Sequence, residues 1–90
     1  MELNELLTKE ILQRHLGDKF EKIDVVFITP QCCVIQVYDV DPHEGKPING
    51  TEQATIWTKE DGDYALRCDA PIRNACIGIM EELRSLKNKG

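Results

Sequence analysis

The sequence predicts a two-layer α+β sandwich in which an N-terminal helix, a four-stranded antiparallel meander and a C-terminal helix follow one another (α-β-β-β-β-α). Three observations carry this reading. Apolar residues recur at three- and four-residue spacing at both ends of the chain, the periodicity of one helical stripe. Between them lie four short runs rich in β-branched residues or alternating in polarity. The strands within each hairpin are joined by short turns, whereas parallel pairing needs a crossover of a dozen or more residues.

The first stripe is Leu3, Leu6, Leu7, Ile11, Leu12 and Leu16, which predicts one amphipathic helix over Leu3 to Leu16. Glu5 with Lys9 and Glu10 with Arg14 stand in the favourable i, i+4 order on its exposed side, and Gly17 supplies a stop. Ile23 to Ile28 and Cys33 to Val40 read as strands joined in a hairpin at Thr29-Pro30-Gln31, where proline breaks pairing. The connection Asp41 to Gly50, with two prolines and two glycines, is the longest predicted loop, and Asn49-Gly50-Thr51 is read within it as a turn. Glu52 to Lys59 and Tyr64 to Cys68 form the second hairpin.

Two registers compete in that second hairpin. A two-residue Asp61-Gly62 loop sets Trp57 opposite Leu66 and mixes Ile56 with Arg67. A three-residue Glu60-Asp61-Gly62 loop, with Gly62 left-handed, pairs Ile56 with Leu66 and Ala54 with Cys68 and so separates apolar from polar. Burying Ile56 and Leu66 is worth about 1.5 to 3 kcal/mol each, so the second register is expected. Asp69 stands where an N-cap is wanted and Pro71 fits a first helical turn; Ile72, Cys76, Ile79, Leu83 and Leu86 then form the C-terminal stripe, running to about Lys87. Lys87 and Lys89 suit the negative end of that helix dipole.

Composition bounds what this fold can do. Ninety residues with 41 % hydrophobic and 30 % charged side chains suit a single globular domain over 1–90. A net charge of −5 repels a phosphate backbone, which argues against direct nucleic-acid binding. No apolar stretch approaches the roughly 18 residues of a membrane span, and Met-Glu-Leu-Asn-Glu has neither a basic nor an apolar signal region. A cytoplasmic location, in the host cytoplasm for a viral protein, and reduced Cys32, Cys33, Cys68 and Cys76 are therefore expected.

Catalytic and cofactor signatures are not found. Adjacent Cys32 and Cys33 point to opposite faces of a strand and cannot readily share a zinc ion. Asp39, Asp41 and His43 mimic the opening of a calcium loop, but Glu44 stands where such loops need glycine and Gly50 where they need a carboxylate. His15 and His43 have no nucleophile at a telling spacing, and Gly45 and Gly50 form no phosphate cradle. No metal, cofactor or catalytic residue is assigned.

The strand faces point instead to a partner. The second hairpin places Trp57, Thr55, Ala65 and Arg67 on one side, whereas the first is apolar on both: Ile23, Val25 and Phe27 against Val26 and Ile28, and Cys33, Ile35 and Val37 against Val34, Tyr38 and Val40. Either the helices sit on opposite faces in three layers, or one face is left for self-association or a protein partner. Trp57, Arg67, Thr55 and Tyr38 are the candidate contact residues, Trp, Tyr and Arg being the types enriched at binding hot spots. The expected function is a non-enzymatic protein–protein interaction module, with a homodimer as one form. A phage-encoded or mobile-element inhibitor of a host enzyme or defence complex, in an anti-CRISPR-like role, is a setting that the small acidic chain fits without requiring it. The alternative is a small-ligand or metal-responsive regulator using the Asp39–Gly50 loop.

Overall fold

The computed structural model describes residues 1–89, and for Asn49 and Gly50 the backbone alone. Two short helices, α1 (Leu3–Leu6) and α2 (Lys9–Leu16), precede strands β1 (Lys22–Thr29), β2 (Cys32–Val40), β3 (Pro47–Thr58) and β4 (Tyr64–Cys68). A 3-10 turn (Ala70–Ile72) then leads into α3 (Arg73–Lys89). The sheet is antiparallel throughout in the order β1-β2-β3-β4, the meander that the short turns predict.

All three helices pack on one sheet face. That face presents Cys33, Ile35 and Val37 from β2 and Ala54 and Ile56 from β3, all buried, with Ile23, Val25 and Phe27 along the β1 edge and Leu66 on β4. Against them lie Leu3, Leu6 and Leu7, then Ile11, Leu12 and Leu16, and from the C-terminal end Ile72, Cys76, Ile79, Met80 and Leu83. The two-layer arrangement is thus realised and the three-layer one is not. No side chain counted as buried is polar among the described residues, so the core is held together by apolar burial.

The N-terminal stripe is not one helix. The chain breaks at Leu7 and Thr8: Thr8 is extended, and its hydroxyl accepts from the Ile11 N–H (3.4 Å), which starts α2 afresh. Long-range bonds set the break. The Asn4 N–H donates to the Pro30 carbonyl (3.1 Å), and Gln31 Oε1 accepts from the Leu3 N–H (3.4 Å) and the Thr58 hydroxyl (2.8 Å). The first hairpin turn therefore dictates where α1 lies, and α1 still buries Leu3, Leu6 and Leu7. Glu5 and Lys9 consequently belong to different helices, and Arg14 reaches across to Glu82 on α3 (2.8 Å). Gly17 is right-handed (φ −65°), so no left-handed stop ends α2; the Lys19 and Phe20 N–H groups both donate to the Leu16 carbonyl and turn the chain.

Three further expectations are corrected. The loop Asp41–Gly50 contracts to residues 41–46, because Asp41 Oδ1 accepts from the His43 and Glu44 N–H groups (2.7 and 3.2 Å), Gly45 takes φ 71°, and Asp41 N–H closes onto the Lys46 carbonyl. β3 then begins at Pro47, a position where a strand tolerates proline, and Asn49-Gly50-Thr51 lies in β3 and not in a turn. Asp69 does not cap a helix with its side chain; its carboxylate accepts from the Gln53 N–H (2.7 Å), extending the β3–β4 ladder. Leu86 is 37 % exposed, because it borders an open groove between α3 and the N-terminal helices, beside Leu6 and Ile11.

Candidate functional site

The second hairpin has the three-residue loop: Ile56 pairs with Leu66, Ala54 with Cys68, and Gly62 adopts φ 88°. This register fixes the opposite face, which no helix covers. Its rows follow from strand pairing. Cys32, Trp57 and Ala65 are aligned in one row, beside the bulge that carries Ile28 at the β1 edge. Val26, Val34, Thr55 and Arg67 form the next, and Asp24, Gln36 and Gln53 the third. Beyond them Lys22 stands opposite Tyr38.

The face thus grades from apolar to polar along the strands. Val26 is 64 % and Ile28 65 % exposed, although both are large β-branched side chains. Trp57, Thr55, Val34 and Ala65 are half-buried beside them. At the polar end the Tyr38 hydroxyl donates to Asp24 Oδ2 (2.7 Å), and this bond to a carboxylate raises the tyrosine pKa. Arg67 is exposed at the β4 edge and makes no ion pair among the described residues. It lines, with Gln53, Thr55 and Asp69, an open groove of about 330 Å³.

The four candidate contact residues Trp57, Arg67, Thr55 and Tyr38 therefore lie on one face, with Tyr38 two rows from Arg67. The most exposed apolar members of that face, Val26 and Ile28, were not among them. Their signal in the sequence is alternation: they share a side with Asp24, while Val25 and Phe27 turn to the core.

Reactive groups elsewhere are occupied structurally. His15 Nε2 lies 2.9 Å from Glu82 Oε1, and with Arg14 it ties α2 to α3 on the helical side. All four cysteines are free. Burial pushes the Cys33 thiol up to about 11 and the Cys76 thiol up to about 12, far from the lowered values of nucleophilic thiols. In the Asp39–Gly50 region the Asp41 carboxylate serves the backbone as above, and that of Asp39 accepts from the Glu21 N–H (3.2 Å). Among the described residues no group of three or more His, Cys, Asp or Glu is placed to hold a metal ion, and no helix is long and apolar enough to cross a membrane. Comparison with protein-family models, with curated proteins and with solved structures finds no match.

Proposed function

We propose that the chain is a non-enzymatic protein-interaction module that binds through its open sheet face. One observation carries the reading. Three helices cover one face of the sheet, while the other keeps Val26 and Ile28 about two-thirds exposed beside Trp57. An antiparallel sheet with a solvated face normally alternates polar residues outward, and here two of the outer rows are mainly apolar. The pattern has the anatomy of a binding patch: an aromatic and aliphatic centre, an arginine, and a rim of Asp24, Gln36, Gln53 and Tyr38. The placement of His15, Cys33 and Cys76 in helix docking and core packing supports a role without catalysis. A phage or mobile-element inhibitor remains one setting for such a module, and its signature would be loss of a host enzyme's activity at stoichiometric chain. The test is affinity capture from the native host with wild type, Val26→Asp and Trp57→Ala in parallel. The reading predicts a protein retained by the wild type and lost from both variants; retention at equal yield by all three refutes it.

A further inference from the structure

We propose that the occupant of the open face is a second copy of this chain, packed sheet to sheet about a two-fold axis running along the strands. The inference rests on the reading that this face binds protein. Its first support is where charge is absent. The chain carries −5, yet the two rows Cys32-Trp57-Ala65 and Val26-Val34-Thr55-Arg67 contain one charged residue, and it is a cation. Two acidic molecules meeting there bring their least repulsive surfaces together.

The second support is complementarity under that axis. A rotation about the strand direction lays β4 of one copy over β1 of the other, and β3 over β2, with rows kept in step. Trp57 then covers the partner copy's Cys32–Val34 segment, and Ala65 meets the exposed Ile28. Arg67, which makes no ion pair among the described residues, faces the β1 edge where Val26 and Asp24 alternate. Across the roughly 10 Å between packed sheets, an extended arginine reaches a carboxylate one row along, so Arg67 and Asp24 form two symmetry-related ion pairs at the rim. Area supports the same occupant. Four strands about 4.8 Å apart, averaging about eight residues because β3 is long and β4 short, give a footprint equivalent to about 19 by 26 Å. A corrugated surface of that footprint approaches the roughly 800 Å² per partner of a standard interface.

The test is sedimentation equilibrium at micromolar concentration, with circular dichroism confirming each variant's fold. Wild type is expected at twice the 10.3 kDa chain mass. Trp57→Ala and Val26→Asp should raise the dissociation constant by about 30-fold or more, the scale of a central hot spot. Arg67→Asp and Asp24→Arg should each weaken the dimer, and the double charge swap should recover a large part of the loss. A swap without recovery overturns the proposed pairing. A wild type that stays at 10.3 kDa overturns the second copy, and the host capture then separates the two readings: a protein lost from Trp57→Ala leaves the interaction face standing, and one retained refutes that as well.

Discussion

Gly78 lies inside α3, where glycine costs about 1 kcal/mol relative to alanine, and the structure gives the reason it is there. A Cβ at this position would sit 2.9 Å from His15 Nδ1 and 3.0 Å from His15 Cε1, closer than real side chains pack. The imidazole cannot simply swing aside, because its Nε2 is held 2.9 Å from Glu82 Oε1. Gly78→Ala therefore sets a helix-propensity gain of about 1 kcal/mol against the loss of a part-exposed hydrogen bond, about 0.5 to 1.5 kcal/mol, and of ring packing. The single substitution should be neutral to about 1 kcal/mol destabilising. In a His15→Ala background the obstruction is gone and the same change should stabilise by about 1 kcal/mol, a coupling of about 1 to 2 kcal/mol. Urea denaturation of the four proteins in the cycle measures it. A Gly78→Ala chain more stable than wild type by the full propensity gain would show that His15 does not bridge α2 to α3.

Leu83 is wholly buried between α3 and the sheet, and Leu83→Ala should cost about 2 to 5 kcal/mol, read from the same urea transitions. At concentrations where the folded chain is monomeric, a thiol reagent at pH 7 should modify Cys32 and Cys68 and spare Cys33 and Cys76, whose burial leaves only about one thiolate in ten thousand or fewer; equal rates for all four in the folded monomer would refute the inward placement. The Arg84 guanidinium, 2.8 Å from Asp63 Oδ1, and the Tyr64 N–H hold the Asp63 carboxyl below its ordinary range. A group whose pKa is lowered on folding stabilises above its unfolded value and loses that contribution as pH falls through the folded value. Wild type should thus exceed Asp63→Asn in stability from about pH 5 upward, the gap closing progressively in acid.

What could be read from the sequence was what local patterning controls. The β3–β4 register followed from Glu60-Asp61-Gly62, because only the three-residue loop put Ile56 beside Leu66, and the left-handed Gly62 bears it out. The break at Leu7–Thr8 was hidden: Leu3, Leu6, Leu7 and Ile11 suit an unbroken helix, and the bonds that override this come from Pro30 and Gln31, far along the chain. The expectation for Asp69 failed likewise, a capping residue being taken over by the Gln53 N–H of a neighbouring strand. Whether one or both faces were covered looked open because β1 and β2 are apolar on both sides. Pairing resolves it: one side gathers Asp24, Gln36, Gln53 and Arg67 across four strands, and a second helical layer would have to take these polar and charged groups out of water. Trp57, Thr55 and Arg67 could be grouped from the hairpin alone, whereas aligning Val26 with them needed the full β1–β2–β3 register.

The helices cover the sheet on one side only. Native Cys33 and an introduced Val26→Cys test it within one molecule, since Val26 and Cys33 lie on neighbouring strands and face opposite ways. Labelling is followed at concentrations where sedimentation finds 10.3 kDa, so that association cannot protect either thiol. The account predicts that the residue 26 thiol reacts at nearly the rate of an unfolded cysteine while Cys33 stays protected. Equal protection of both in the monomer would mean that the face bearing Trp57 is covered by the chain itself.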